Sequence, residues 1–283
     1  MATLHHSQYG KHRVRVLKVF RAPDGWQDVR ELTVRVMLTL SEDASFSSED
    51  NHLVVPTDTV RNTVNFLAHD SLGACRHAFT RVVGRHFLAT YAHVASVDVV
   101  VEEKSWDRWR GKDGPHPHVF THQANGSPET YGVFSREGGE SLASGLRDHL
   151  ILKSTASSFT GYHQCPLTTL PPAEDRILAT RLSGRWTFAD GLGEDALASV
   201  DERVLAAMME TFAGTHSPSV QRTLFLMGEA ALAAAPEIVS VTLHLPNVHY
   251  LGLDMSKLGR PGQKDVYLPT DEPHGQIEAT ITR

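Results

Sequence analysis

Cysteine is almost missing from this chain: Cys75 and Cys165 are the only two in 283 residues. Two thiols cannot build the disulfide framework of a small secreted domain. They fit a reducing compartment, where both are expected to be spectators. A basic excess is missing too. Lys and Arg total 27 against 33 Asp and Glu, for a net charge of -6, which argues against a surface that tracks nucleic-acid phosphates. No apolar run approaches the roughly 20 residues of a membrane helix. The start, Met1 to Lys11, is polar and lacks the apolar core of a secretory signal. The end, Thr280-Ile281-Thr282-Arg283, is not a Ser-Lys-Leu type of peroxisomal address. Neither nucleic acid nor membrane is expected as a partner.

The motifs of several large enzyme classes are absent as well. There is no Gly-rich phosphate loop ending in Gly-Lys-Ser/Thr, no dinucleotide fingerprint, no Cys-x-x-Cys pair and no His-Glu-x-x-His. Histidine is plentiful, with 17 residues, and His116-Pro117-His118 with His122 is the densest group. Prolines break any regular element there, so the rings need not converge; no metal site and no cofactor are expected. What is present is an ordinary globular composition, 41% hydrophobic and 21% charged. The length suits one large domain or two modest ones.

The hydrophobic pattern changes period along the chain. Leu32, Val34, Val36, Leu38 and Leu40 alternate with Thr33, Arg35, Met37 and Thr39, as in a half-buried strand. Val14 to Val19 suggests its hairpin partner, across a turn at Pro23-Asp24-Gly25. Val60, Val64 and Leu67, then Phe79, Val83, Phe87 and Tyr91, fall at helical spacing. Val97 to Val101 and later segments to about Phe134 return to strand. The Gly/Ser-rich stretch Gly138 to Gly145 marks a boundary, after which the order recurs. Strand-like Leu150 to Leu152 and Arg185 to Phe188 precede two helices. The first carries Leu197, Val200, Val204, Met208 and Phe212, the second Val220, Leu224, Met227 and Ala231. Strands at Val241 to Leu245, Val248 to Met255 and Ile277 to Ile281 close the chain. The reading is an α+β fold of two similar domains, residues 1–140 and 141–283, each an antiparallel four-stranded sheet with two helices on one face. Exposed edge strands make closure by partner subunits a reasonable expectation.

Three polar islands carry side chains suited to chemistry. In Tyr9-Gly10-Lys11 the lysine precedes a strand; a lysine is a base only when neutral, and its ordinary pKa of about 10.4 must fall by burial or a nearby cation. Thr57 and Asp58 lie where strand gives way to helix, and either suits a helix cap. In Leu245-Pro246-Asn247-Val248-His249-Tyr250, Asn247 and His249 are two apart in a strand-like run and face the same side; a core histidine beside a Pro-Asn turn fits the same pattern. Arg176 offers a planar fork of the kind that clamps an anionic edge, or an ordinary surface ion pair. Gln221 both donates and accepts, near the start of a helix begun by Ser217-Pro218. Phe159 offers a stacking face, and Leu170 and Val220 apolar walls, although core positions look the same.

In order and spacing, the three islands, together with Asn62-Thr63, Leu152-Lys153-Ser154-Thr155 and Asp175-Arg176-Ile177-Leu178, resemble the signature segments of the urate oxidases (uricases), from about Tyr9 to Thr282. The resemblance implies tandem tunnelling-fold (T-fold) domains that close into a barrel on dimerisation, and a homotetramer with active sites at subunit interfaces. It implies cofactor-free oxidation of urate by dioxygen to 5-hydroxyisourate with release of hydrogen peroxide. Lys11, Thr57 and His249 would be catalytic, Thr57 meeting Lys11 across a subunit boundary. Thr57, Asp58, Phe159, Leu170, Arg176, Val220, Gln221 and Asn247 would hold substrate, Asp58 through its backbone and Asn247 beside dioxygen or water. Eukaryotic members often carry a peroxisomal address, so a bacterial cytoplasmic protein, or a trimmed chain, is expected. The chain departs from the family pattern at Gly161 to Pro166 and at Leu251-Gly252. Two other readings stay open: a zinc-dependent or aldolase-type pterin enzyme of the same fold, and a pterin- or purine-binding T-fold protein without oxidase turnover.

Overall fold

The computed structural model describes residues 2–73, 75–197, 199–262, 265–270 and 272–283. The chain divides into two compact units, Met1–Gly145 with Thr187–Ser199, and Leu146–Trp186 with Val200–Arg283. In the first, β1 (Tyr9–Arg21) and β2 (Gln27–Leu40) form a hairpin. Its turn is held by the Asp24 carboxylate, which accepts the Trp26 N–H at 3.0 Å. A short α1 (Ala44–Ser47) leads to α2 (Thr57–Ser71) and α3 (Arg76–Thr90). Then come β3 (Val94–Lys104), the hairpin β4 (Trp106–Gly111) and β5 (Gly114–His122), β6 (Ser127–Ser135) and β7 (Gly139–Lys153). The order β1-β2-β3-β6 is antiparallel throughout, with β4 and β5 in a sheet of their own.

The alternation in β2 does what its period requires. Leu32, Val34, Val36 and Leu38 are fully buried, each contributing about 1.5–3 kcal/mol of apolar burial. Against the sheet pack α2, by Val60, Val64 and Leu67, and α3, by Phe79, Val83 and Phe87. Tyr91 continues the four-residue repeat but lies just past α3, as its C-cap. Of the stretch Gly138 to Gly145, only Gly138 belongs to a hairpin turn; from Gly139 onward it is strand β7.

The second unit repeats the plan. The end of β7 lies beside β8 (Leu178–Phe188); α4 (Glu194–Leu197) belongs to the first unit, and α5 (Val200–Gly214) and α6 (Val220–Ala234) follow. Strands β9 (Ile238–His244) and β12 (Glu278–Thr282) complete the order β7-β8-β9-β12, while β10 (Asn247–Gly252) pairs with both β8 and β11 (Tyr267–Thr270). The apolar period from Leu197 onward suggested one helix. Instead Leu197 ends α4 and α5 begins at Val200, so two elements bury side chains that share one spacing.

One device recurs in both units. The Lys18 ammonium donates to the carbonyls of His69 (2.9 Å) and Leu72 (2.8 Å) at the end of α2. The Lys153 ammonium does the same at the end of α5, to Phe212 (3.1 Å) and Thr215 (2.6 Å). Arg136 closes α3 through Tyr91 and Val94, and Arg283 closes α6 through Ala235 and Ile238. A cation at the C-terminus of each of these four helices satisfies carbonyls that have no intrahelical partner and opposes the helix dipole.

Candidate active site

In the second unit, the backbone from Ala156 to Phe159 is pinned along both edges. Ser217 N–H donates to Ala156 O at 2.9 Å and Ser158 N–H to Ser217 O at 2.8 Å. On the other side, Phe159 N–H reaches Ala173 O at 2.7 Å, Ala173 N–H reaches Phe159 O at 3.0 Å, and Arg176 N–H reaches Ser157 O at 2.8 Å. The Thr155 hydroxyl donates to the Asp175 carboxylate at 2.8 Å. Two predicted site residues, Phe159 and Arg176, are therefore carried by one small hydrogen-bonded ladder.

The Arg176 guanidinium lies 5.1 Å from the Phe159 ring centroid. It is half-buried, and burial lowers its proton affinity below the ordinary arginine value; the group nonetheless stays charged at any physiological pH. Among the described residues its buried Nε has no hydrogen-bond partner and no carboxylate pairs with the guanidinium. A desolvated cation without a counter-ion favours an anionic ligand. Arg176 lines a cavity of about 150 Å³ together with Asn247 and His249. Consecutive residues from Asn247 to Leu251 line it, and the register of β10 sets Asn247 opposite Thr180 and His249 opposite Thr270. A larger cavity, about 560 Å³, lies between Leu4–Ser7 and Thr39–Ser47 and contains no predicted site residue.

Helix α6 starts at Val220, after Ser219 rather than at Ser217-Pro218, because the Ser219 hydroxyl caps it by accepting the Arg222 N–H at 3.2 Å. Val220 is buried and Gln221 exposed in the first turn, which follows Ser217 of the ladder. Leu170 is exposed, and its carbonyl accepts the Tyr162 hydroxyl, whose ring stacks on Phe159.

The first unit holds the rest. Lys11 sits in β1 opposite Val36, half-buried, just before a register shift that ends at Val14. Gly10 is required there, since a Cβ would lie 1.9 Å from the Val36 carbonyl oxygen. Thr57 and Asp58 open α2, but neither caps it. Pro56 occupies the N-cap and makes no side-chain cap bond, which corrects the capping expectation. Asp58 instead pairs with Arg61 at 2.7 Å and accepts from Asn62 at 3.1 Å. Among the described residues, neither the Lys11 ammonium nor the Thr57 hydroxyl has a hydrogen-bond partner. In β5, His116 and His118 meet edge to face at 4.6 Å; among the described residues no group of three His, Cys, Asp or Glu side chains is arranged to hold a metal ion. No described helix is long and apolar enough to cross a membrane.

Three residues make contacts beside predicted site residues that the sequence did not assign: Tyr9, whose hydroxyl accepts the Val55 N–H, Tyr162, which stacks on Phe159, and Gly275, whose carbonyl accepts the Asn247 N–H at 2.9 Å. For Tyr9 and Tyr162 the available signal was an aromatic adjoining a polar island or a stacking residue.

A family model described as uricase matches residues 7–131 and 142–278. The chain is 37% identical over 285 residues to the uricase of Dictyostelium discoideum, covering 100% of this chain and 98% of that one. It is 36% identical over 281 residues to the uricase of Oryctolagus cuniculus, covering 97% and 93%. The solved structure of the uricase from Arthrobacter globiformis superposes with a TM-score of 0.92 at 33% identity, over 100% of this chain and 96% of that one.

Proposed function

The chain belongs to the uricase family, and we propose that it oxidises urate with dioxygen and water to 5-hydroxyisourate and hydrogen peroxide. The observation that carries this reading is the uncompensated Arg176 guanidinium, set over the Phe159 ring and lining one cavity with Asn247 and His249. Urate is flat, anionic near neutral pH and edged with carbonyl and N–H groups. It asks for a fork, a stacking ring and an amide.

In this reading Arg176 and Gln221 clamp the edge of urate, Phe159 stacks on its ring, and Leu170 and Val220 wall it. Each charge-assisted bond contributes about 1.5–3 kcal/mol. Lys11 and Thr57, oriented by His249, take a proton from bound urate. The resulting electron-rich anion passes two electrons to dioxygen, Asn247 and Thr57 position the peroxide adduct, and water then displaces hydrogen peroxide. The substrate supplies the electrons, so no cofactor is called for. Asp58 contributes backbone to the substrate edge.

A partner subunit completes the site, in a homotetramer of tandem T-fold chains divided near residue 140. Two observations support this. The cavity of about 150 Å³ is smaller than the roughly 300 Å³ at which small-molecule sites begin. Among the described residues, the Lys11 ammonium and the Thr57 hydroxyl are also left without hydrogen-bond partners, and β1 is an outer strand with one sheet edge open. Aerobic and anaerobic incubation of metal-stripped protein with urate tests the reading. Oxygen-dependent loss of urate with matching peroxide is expected; bound but unconsumed urate would leave a purine-binding protein instead.

A further inference from the structure

One face of the Phe159 ring is already occupied. The Tyr162 ring lies against it with centroids 4.8 Å apart and planes 13° from parallel, an offset stack. Tyr162 is itself anchored, because its hydroxyl donates to the Leu170 carbonyl. The chain between them is closed by a tight turn in which Thr168 N–H donates to Cys165 O and Cys165 N–H to the Thr168 hydroxyl, both at 2.9 Å. The Phe159 backbone is bonded twice to Ala173. A phenyl ring free about its side-chain torsions offers a stacking ligand no fixed plane. A ring held by a parallel neighbour on one side offers a single face at a set tilt.

We infer that Tyr162 is a positioning residue: it covers one face of Phe159 and fixes its plane, so that a flat bicyclic heteroaromatic anion stacks on the opposite face, beside the Arg176 fork. The inference rests on the urate reading above and deepens it. It assigns control of the stacking plane to Gly161–Pro166, the segment in which the chain departs from the family pattern. Tyr162 acts through Phe159 and serves ground and transition states alike, so its loss belongs in KM and not in kcat.

The test compares Tyr162→Ala, Tyr162→Leu and Tyr162→Phe in the intact, assembled protein, by urate kinetics and by binding of xanthine, a purine without the 8-carbonyl. The Ala and Leu variants are expected to raise urate KM and weaken xanthine about 3- to 10-fold, with kcat within about twofold. The Phe variant keeps the ring and should recover most of the affinity. Unchanged affinity in all three overturns the inference. So does tighter binding by the Ala or Leu variant, since Tyr162 would then compete for the face the purine uses. Loss of kcat at constant KM also overturns it, by making the segment a general support. The Leu variant fills volume should the Ala variant fail to fold. Wild-type protein that binds xanthine but leaves urate unoxidised would sink the oxidase reading alone, with the xanthine affinities still deciding the role of Tyr162.

Discussion

The Tyr9 hydroxyl accepts the backbone N–H of Val55 at 2.7 Å. This bond ties β1, just before Lys11, to the chain just before Thr57, and so joins the two polar islands of the first unit. Burial raises the Tyr9 pKa, opposed by the Val55 bond and reinforced by Tyr91, so the phenol remains protonated at neutral pH. Tyr9→Phe deletes the acceptor and keeps the ring. With a net hydrogen bond contributing about 0.5–1.5 kcal/mol, kcat should fall about 3- to 10-fold at nearly constant urate KM. Steady-state kinetics with a thermal melt checks this; a raised KM at unchanged kcat would remove Tyr9 from the relay side of the site.

Lys11→Met tests the relay itself. The variant keeps the length and apolar stem of the side chain and removes the amine. Turnover is expected to drop about 10²- to 10⁴-fold, the range of a lost acid–base group, while xanthine still binds. Retained turnover would show that urate loses its proton by another route.

Arg176→Lys separates charge from shape. The ammonium keeps the cation but not the planar fork, and one charge-assisted bond of about 1.5–3 kcal/mol is forfeited, a 10- to 150-fold rise in urate KM. Titration with xanthine should show the same factor. A loss confined to kcat would mean that Arg176 acts on the transition state and does not hold the ground state.

Glu31 gathers Arg15 at 3.2 Å, the Trp106 indole N–H at 3.0 Å and Lys104 at 3.4 Å. Burial opposes its charge, but the bonds from Arg15, Trp106 and Lys104 prevail and hold the carboxyl below the usual glutamate value. A carboxyl depressed in the folded state adds stability above its unfolded pKa of about 4.3, and that stability is lost as pH falls through the folded-state value. Glu31→Gln is expected to destabilise by about 1 kcal/mol at pH 7. The gap from the parent should close below about pH 4, read by denaturant unfolding across that window. A constant gap would assign the loss to packing instead of charge.

The parts of the molecule legible in the sequence are those fixed by local spacing. The alternation of β2 and the repeats in α3 and α6 needed only their own residues. Element ends were harder, because neighbours decide them: Pro56 takes the cap position ahead of Thr57, and Leu197 is drawn into a separate short helix. The signature islands were recognisable by resemblance, but the work of Lys153, Thr155 and Asp175 was not. Lys153 closes a helix, and Thr155 holds the residue before Arg176. Such pairings join residues distant in sequence, and no periodicity records them.

Gly275 is one of these distant partners, and it offers a way to separate dioxygen from urate. A Cβ at this position would lie 3.1 Å from the Asn247 side-chain nitrogen, closer than packed side chains ordinarily approach, while the Gly275 carbonyl holds the Asn247 N–H at 2.9 Å. Gly275→Ala should therefore shift the Asn247 amide without touching Phe159 or Arg176. If Asn247 positions dioxygen and the peroxide adduct, the variant needs more oxygen: its apparent KM for dioxygen rises and kcat in air falls about 3- to 10-fold, as for one displaced hydrogen bond. Urate KM stays near the parent value, because the clamp is intact. Initial rates over a grid of urate and oxygen concentrations give both constants. A rise in urate KM with normal oxygen dependence would place Asn247 in the clamp and take it away from dioxygen.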